Sequence, residues 1–390
     1  MSKAGIENLD NDIDTAFSEF NDYVKQHGVE GIDKFLEDAL EKWKQVDINI
    51  AVVGNSGSGK SSFINTVRGY EFDDEQGAAE VGEEKSTTTV PTAYPHPKNS
   101  QIIFWDLPGM GDIQNPDLKT YCKKVQLETY DAFLIVTCTR FSSNDLHLAQ
   151  EIKRSLNKHF FFIRTKIDVS VQSGKMRKKV FDENVMLEET RSRCSEVLGD
   201  LLSSKQDIFL ISNHYPKEWD FPKLTEAILD AMPKYKQESL TLALKSFSPE
   251  IIRRKVKTLK RRTWKSAFKS AVVGAIPLPA VSAVYDANLI IDEINMYRTT
   301  LGLPKEWSEE FTKLHSATKE TTAKLTALLA SYVVSSVAEE YARFIPFIGT
   351  GIAGGISFAT TLAFLRYYLK KGEDAALLAL QEAVEKLPRN

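Results

Sequence analysis

The chain has 390 residues, of which 42% are hydrophobic and 26% are charged, and its formal net charge is −3. This length exceeds what one hydrophobic core organises, so we expect two or three domains, and the slightly acidic balance gives no reason to expect nucleic acid as a partner. The three scattered cysteines form neither a disulfide framework nor a zinc-ligand spacing, and the acidic N-terminus lacks a secretory signal. Together these features favour a reducing, cytoplasmic environment.

Residues 1–46 are acidic and are predicted to form two amphipathic helices. Apolar residues recur at spacings of three and four in the first helix, and the second helix carries Leu36, Leu40 and Trp43. Two helices of this kind cannot bury their apolar faces on each other alone. We therefore expect them to dock elsewhere in the protein.

From residue 47 to about residue 235, short apolar runs alternate with segments of helical spacing. Five runs are predicted as strands: Ile48–Val53, Ile102–Trp105, Phe133–Val136, Phe160–Ile163 and Ile208–Ile211. This alternation predicts an α/β domain with a mainly parallel sheet and helices on both faces. Because ligands of such sheets bind at the carboxyl ends of the strands, we expect the chemistry directly after each run.

The segment after the first run matches the phosphate-binding P-loop template, Gly54-x-x-x-x-Gly59-Lys60-Ser61, between a strand and a helix. Its glycines let backbone N–H groups point at phosphate oxygens, and the next helix directs its N-terminus at the same anion. We expect Lys60 to neutralise the β- and γ-phosphates and Ser61 to bind Mg²⁺. A plain glycine-rich turn is the alternative, which the flanking strand and helix disfavour. The predicted nucleotide contacts here are Gly54, Asn55, Ser56, Gly57, Ser58, Gly59, Lys60, Ser61 and Ser62.

The segment of residues 71–97 is acidic at first and then rich in threonine. A GTPase places one threonine in this region, which senses Mg²⁺ and the γ-phosphate and thereby orders the loop. Thr87, Thr88 and Thr89 all qualify by position. We assign the role to Thr88.

The second run leads into Asp106-Leu107-Pro108-Gly109, where a simple Pro-Gly turn is the alternative to a functional loop. Asp106 is placed to hold Mg²⁺ through water, as a Walker-B carboxylate does, and the N–H of Gly109 is placed to approach the γ-phosphate. Ras-type enzymes continue with a glutamine that orients the attacking water, but this chain has Met110 there. Because a thioether cannot align water, we expect slow hydrolysis unless self-association across the nucleotide face supplies another group.

The fourth run is followed by Thr165-Lys166-Ile167-Asp168, the tetrad with which GTPases recognise guanine. We expect Asp168 to accept hydrogen bonds from both N–H donors of the guanine edge, while the stem of Lys166 covers the ring. Adenine lacks this donor pair, which favours GTP and argues against an ATP-dependent motor or kinase. After the fifth run, Ser212 and Asn213 lie where GTPases hold the base through a backbone N–H, although an ordinary strand exit explains them equally well.

Residues 236–390 are predicted to be helical throughout. The stretch from Arg253 to Lys269 holds nine basic residues. Three explanations stay open for it: a solvated helix face, pairing with the acidic N-terminal helices, or contact with anionic lipid headgroups. The uncharged stretch Phe344–Leu365 is long enough to span a bilayer, but its proline and glycines favour a buried helical hairpin over reversible insertion at a membrane surface.

With these motifs in place, the chain resembles the immunity-related GTPases, the interferon-inducible family of vertebrates. The resemblance covers nearly the whole length and is carried by Gly54–Ser62, Phe104–Gly109, Arg164–Asp168, Ser212-Asn213, Asp220–Leu224, Ile276–Pro279, Ile345–Gly349 and Ala353–Phe358. Lys60 makes the chain similar to the subgroup with a lysine in the P-loop, whose members resemble effectors rather than regulators.

The resemblance implies a Ras-like GTPase domain of residues 47–235, carried on a helical domain built from residues 1–46 and 236–390. It also implies binding of GTP or GDP with Mg²⁺, hydrolysis of GTP, dynamin-like self-assembly and cell-autonomous defence against vacuolar pathogens. We therefore expect a cytoplasmic protein with peripheral association to intracellular or pathogen-containing vacuole membranes.

Two positions depart from the family pattern. Family members carry a glutamate shortly before the switch threonine, thought to act in hydrolysis within the dimer, but the best register places Ser86 there. A shift of one or two residues would let Glu84 serve. Ser2 replaces the glycine that N-myristoylation requires. Because Met110 and the displaced glutamate both weaken the case for catalysis, two functions stay open. One is a GTP hydrolase activated by dimerisation, and the other is a nucleotide-gated binding switch with negligible hydrolysis.

Overall fold

The computed structural model describes residues 22, 23, 25–27, 31–71, 75–81, 90–109, 118–202, 207–274, 279–309 and 352–386. The chain divides into two compact units. One unit contains Lys44–Ile251 with Lys386–Asn390, and the other combines Met1–Trp43 with Ile252–Glu385. The domain boundaries inferred from the sequence, after residues 46 and 235, stay a prediction.

Six strands lie in the described part of the first unit, and helices occur in both units. The strands are β1 (Ile48–Val53), β2 (Thr92–His96), β3 (Asn99–Asp106), β4 (Ala132–Thr137), β5 (His159–Arg164) and β6 (Ile208–Leu210). The α-helices are α1 (Ile32–Glu41), α2 (Lys60–Arg68), α3 (Leu118–Val125), α4 (Ser143–Glu151), α5 (Ile167–Arg177), α6 (Glu183–Leu198), α7 (Phe221–Ala231), α8 (Lys234–Ala243), α9 (Pro249–Gly274), α10 (Pro279–Leu301) and α11 (Ile352–Glu385). Shorter 3₁₀ turns lie at Lys42–Gln45, Leu127–Thr129 and Gly199–Leu201, and a π-helical turn lies at Ile152–Leu156.

The strands form one sheet in the order β2-β3-β1-β4-β5-β6. Every neighbouring pair is parallel except β2 and β3. The register pairs Val52 of β1 with Asp106 of β3 and Val53 of β1 with Ile135 of β4. The ends of these three strands therefore meet at one edge of the sheet. The mainly parallel α/β architecture predicted from the sequence is confirmed.

Both faces of the sheet are covered, as the continuous apolar runs require. Alternate residues of β1 face opposite layers, because side chains along a strand point to opposite sides. Ile48, Ile50 and Val52 pack in the layer with α2, α7 and α8, and Ala51 and Val53 pack in the layer with α3 to α6. The sheet is thus held rigidly on both sides, which fixes where its carboxyl edge presents the loops.

Strand β2 was not predicted from the sequence. It lies in the threonine-rich segment and pairs with β3 in an antiparallel hairpin whose register shifts at Pro95. Proline cannot donate to a ladder of hydrogen bonds and is confined to edge strands and bulges, and β2 is the edge of this sheet. Four of the five predicted strands also change in length: β3 begins at Asn99 and ends at Asp106, β4 and β5 each extend one residue further at both ends, and β6 ends at Leu210.

In the second unit, α1 contacts α9, and α10 packs with α11. Leu36, Leu40 and Trp43 are buried, as the apolar spacing of the N-terminal segment predicts. Trp264 of α9 stacks on Phe268 with 5.6 Å between ring centroids, and its ring meets Phe358 of α11 edge-on at 5.8 Å. The first predicted N-terminal helix lies almost entirely outside the described residues, as does the proline- and glycine-rich start of the Phe344–Leu365 stretch.

Part of the basic stretch of α9 pairs with α1 and its neighbours. Arg262 donates to the carbonyl of Leu40 at 2.6 Å and lies 3.3 Å from the carboxylate of Glu41. Lys265 donates to the Ala39 carbonyl at 3.2 Å. These contacts favour pairing with the acidic N-terminal segment, one of the three explanations that the sequence left open. Among the helices that the structure describes, none is long and apolar enough to cross a membrane.

Candidate nucleotide-binding site

The loop between β1 and α2, Gly54–Gly59, is called the phosphate loop here. Its start requires glycine, because a Cβ on Gly54 would come within 2.0 Å of the Val136 carbonyl oxygen. Its end also requires glycine, because Gly59 has φ +91° and precedes the first residue of α2. Ser58 is buried, whereas Asn55, Ser56 and Gly57 are exposed at the tip. The two glycines thus fix the course of the loop between the end of β1 and the start of α2.

Lys60 begins α2, and its ammonium group lies against the phosphate loop. Its Nζ donates to the carbonyl oxygens of Gly54 at 3.0 Å and Asn55 at 3.3 Å, and it lies 3.9 Å from the Asp106 carboxylate. Burial lowers the pKa of Lys60, and the negative charge of Asp106 opposes this shift. A largely desolvated ammonium at the phosphate loop is suited to a polyphosphate.

Ser61 and Asp106 form the predicted metal position. The Oγ of Ser61 lies 3.5 Å from Oδ2 of Asp106, which ends β3 and is 4% exposed. A hydroxyl and a carboxylate are hard oxygen donors of the kind that Mg²⁺ binds together with phosphate oxygens. The residues present therefore fit a magnesium ion. Ser62, the next residue of α2, is half-buried and accepts a hydrogen bond from Thr66 through its carbonyl.

The Thr165–Asp168 tetrad lies beside the phosphate loop. Thr165 is fully buried and donates its hydroxyl to the Ser58 carbonyl at 2.6 Å. Lys166 is exposed and has φ +57°. One carboxylate oxygen of Asp168, Oδ1, is buried and has no hydrogen-bond partner among the described residues. A buried acceptor without a donor is costly, and the two N–H donors of guanine would satisfy it.

Ser212 and Asn213, which were left ambiguous by the sequence, belong to the same cluster. The Ser212 hydroxyl accepts from the backbone N–H groups of His214 at 3.2 Å and Tyr215 at 3.3 Å, which shapes the turn after β6. Asn213 donates its side-chain amide to the Gly59 carbonyl at 2.9 Å. The turn is therefore attached to the phosphate loop rather than being only a strand exit.

Gly109 is also close to the phosphate loop, since a Cβ built on it would lie 3.7 Å from the Gly54 carbonyl oxygen. The turn before it is held by Tyr121, a fully buried residue whose hydroxyl donates to the Pro108 carbonyl at 3.0 Å. The remaining predicted residues, Thr88, Glu84 and Met110, lie outside the described residues, as do Thr87 and Thr89. Their roles stay predictions.

Two residues that support the site were missed from the sequence. Tyr121 holds the turn of Pro108, and Thr66 of α2 donates its hydroxyl to the Asn213 carbonyl at 3.2 Å. A tyrosine or threonine within a helical segment carries no positional motif. Only the placement of α2 and α3 beside these loops gives the two hydroxyls their roles.

Comparison with known proteins adds an independent line of evidence. The family model described as Interferon-inducible GTPase matches residues 14–347. Interferon-inducible GTPase 5 of Rattus norvegicus is 32% identical over 371 residues, covering 90% of this chain and 79% of the relative. T-cell-specific guanine nucleotide triphosphate-binding protein 2 of Mus musculus is 32% identical over 353 residues, with 89% and 83% covered. Interferon-inducible GTPase 1 of Mus musculus is 31% identical over 347 residues, with 85% and 81% covered.

Proposed function

Because this chain belongs to the interferon-inducible GTPase family, we propose that it binds GTP and hydrolyses it to GDP and phosphate. The observation that carries this proposal is that a cation and a buried carboxylate oxygen lie in neighbouring loops at one edge of the sheet. The ammonium of Lys60 lies over the phosphate loop, and a buried oxygen of Asp168 lacks a donor in the tetrad beside it. A guanine nucleotide supplies the anion for the first and the donors for the second.

Each residue of the site has one task in this proposal. The backbone N–H groups of the phosphate loop and Lys60 hold the β- and γ-phosphates. Ser61, Asp106 and Thr88 hold Mg²⁺, which when bound offsets the negative charge of the phosphates. Asp168 selects guanine, while Ser212 and Asn213 close the base side. Gly109 brings its N–H to the γ-phosphate.

Hydrolysis is slow in the monomer and faster in a dimer formed across the nucleotide face. Met110 stands where Ras-type enzymes have a water-orienting glutamine, and a thioether cannot align the attacking water. We assign Glu84, on the segment before Thr88, as the residue that acts in hydrolysis within the dimer.

At the level of the whole molecule, we assign catalysis to residues 47–235 and a helical domain to residues 1–46 and 236–390. The protein acts in cell-autonomous immunity from the cytoplasm, with peripheral association to intracellular or pathogen-containing vacuole membranes and dynamin-like self-assembly. The support for the immune role is the family itself, whose members are named for induction by interferon.

The deciding experiment measures GTP turnover per molecule over about a hundredfold range of protein concentration, with light scattering on the same samples. Self-association responds to concentration by mass action, so turnover per molecule should rise with concentration and with particle size. A flat specific activity contradicts activation by dimerisation. Lys60→Ala should abolish nucleotide binding, whereas Lys123→Ala, which removes an exposed lysine of α3, should leave it unchanged.

A nucleotide-gated binding switch is the second candidate, and Met110 favours it. The two candidates separate in a single-turnover assay with protein in excess over GTP. Conversion to GDP within minutes supports the hydrolase. GTP that stays intact for hours, while remaining bound, supports the switch.

A further inference from the structure

The loop after β6, Ile211–Trp219, is called the base loop here. The two residues that flank it, Leu210 and Asp220, are joined to each other by two hydrogen bonds. Leu210 donates its N–H to the Asp220 carboxylate at 2.8 Å, and Asp220 donates its N–H to the Leu210 carbonyl at 3.0 Å. Asp220 is the N-cap residue of α7, where an aspartate commonly caps the helix, yet its side chain makes no such cap. The carboxylate instead accepts from the N–H of Leu210, the last residue of β6, and so joins the two residues that flank the base loop.

The same carboxylate forms an ion pair with Arg191 of α6. Both side chains are largely buried, with 7% of Asp220 and 12% of Arg191 exposed. Arg191 also donates to the carbonyl of Ile208 in β6 at 2.5 Å. The first anchor therefore joins α6 to Asp220, the residue that directly follows the base loop. It is a buried, charge-assisted contact, which is stronger than a neutral hydrogen bond.

A second anchor joins Trp219, the last residue of the base loop, to the start of α6. Trp219 has φ +48°, a left-handed conformation that is an outlier for a bulky side chain and persists only where its surroundings hold it. Its indole Nε1 donates to the carboxylate of Glu183, the first residue of α6, at 2.8 Å. The ring of Tyr215 meets the indole edge-on at 6.3 Å.

On its other side the base loop is bound to the phosphate loop and α2, through Asn213 with Gly59 and Thr66. The base loop is thus held between α2 and α6. The contacts of Asn213 lie at the phosphate loop and α2, whereas Glu183 contacts Trp219 and Arg191 contacts Asp220 and Ile208.

We propose that α6 positions the base loop through these two anchors and thereby sets the rate at which guanine nucleotide is released. This inference rests on the proposed function. Glu183 and Arg191 are positioning residues, because Glu183 contacts Trp219 of the base loop, Arg191 contacts Asp220 directly after it, and neither is assigned a contact to the nucleotide. Release requires the base loop to separate from the base, and a loop with weaker anchors opens more often. The effect should therefore appear in the dissociation rate and leave the association rate nearly unchanged.

The test compares three variants of the full chain by release of N-methylanthraniloyl-GDP in stopped flow. Glu183→Ala removes the acceptor of Trp219 and should speed release about three- to tenfold, the effect of one hydrogen bond. Glu183→Gln keeps a side-chain oxygen that can accept, so release should stay within about twofold of wild type. Glu196→Ala removes an exposed carboxylate from the same helix and should change nothing.

A second measurement is independent of the nucleotide. Amide hydrogen exchange of the free protein should become faster in residues 212–219 of Glu183→Ala, with α2 unchanged. Trp219→Phe should speed exchange and release as Glu183→Ala does, and the double variant should be no faster than either alone. Unchanged exchange in the base loop overturns the proposal, and so does release at the wild-type rate. If wild type binds no guanine nucleotide, the proposed function fails, while exchange still reports whether α6 holds the base loop.

Discussion

Asn213 donates its side-chain amide to the carbonyl oxygen of Gly59 at 2.9 Å, although 154 positions separate the two residues. The contact joins the turn on the base side of the site to the last residue of the phosphate loop. The carbonyl of Asn213 in turn accepts from Thr66 of α2. The two halves of the site therefore belong to one hydrogen-bonded structure.

Removal of this contact should weaken binding without unfolding the protein. Asn213→Ala loses one hydrogen bond, so we expect the affinity for GDP to fall about three- to tenfold. Isothermal titration calorimetry measures the change. Asn184→Ala, at an exposed position of α6, is the matched control and should bind as wild type does. Equal affinities for the two variants would show that the contact does not matter for binding.

The metal assignment predicts a dependence on magnesium. Ser61→Ala removes a proposed Mg²⁺ ligand, and Asp106→Asn removes the carboxylate proposed to hold Mg²⁺ through water. The affinity for GTP should therefore fall about tenfold or more when Mg²⁺ is present. With Mg²⁺ chelated by EDTA, both variants should bind GTP nearly as wild type does. A loss of the same size under both conditions would instead indicate damage to the phosphate loop.

Base selection should change with one substitution. Asp168→Asn replaces an acceptor by a group that can also donate, which suits xanthine because xanthine carries a carbonyl where guanine carries its amino group. We expect at least about a hundredfold weaker binding of GTP, together with tighter binding of XTP. Competition against a fluorescent nucleotide measures both. Asp200→Asn, which removes an exposed carboxylate of the same unit, should retain the wild-type preference for GTP.

The helical unit depends on a buried ion pair. Arg262 donates to both carboxylate oxygens of Glu293, at 2.9 and 3.1 Å, and Glu293 is 2% exposed. Arg262→Ala leaves this carboxylate buried without its cation, which should lower the free energy of unfolding by about 3–5 kcal/mol. Thermal unfolding checks this, with Lys257→Ala at an exposed position of α9 as a control expected within about 0.5 kcal/mol. A loss as small as the control's would show that the pair is dispensable.

The same pair predicts the direction of a pH effect. Burial raises the pKa of Glu293, and Arg262 opposes that rise, so the pKa is higher still in Arg262→Ala. A carboxyl group with a raised folded pKa supports the fold in acid and loses that contribution as pH rises through the folded pKa. The stability deficit of Arg262→Ala should therefore shrink from about pH 8 to about pH 5, as measured by thermal unfolding across that range. A deficit that grows toward acid would contradict this account.

The sequence alone predicted the parts of the site whose chemistry is encoded in contiguous residues. The P-loop needs glycines, a lysine and a hydroxyl at fixed spacing between a strand and a helix, and the guanine tetrad needs an aspartate directly after a strand. Both patterns satisfy local geometric requirements, so they can be recognised without knowing what lies beside them. The alternation of apolar runs predicted the parallel sheet for the same reason.

Only the tertiary structure decided which distant groups meet. β2 is short, polar and contains Pro95, and it is a strand because the free edge of β3 offers it partners. Asn213 could have been an ordinary strand exit until the placement of Gly59 gave its amide an acceptor. Arg262 was one of nine similar cations, and it became a buried partner of Glu293 because α9 and α10 pack together there. Such pairings depend on the positions of whole elements, and those follow from how the cores are packed.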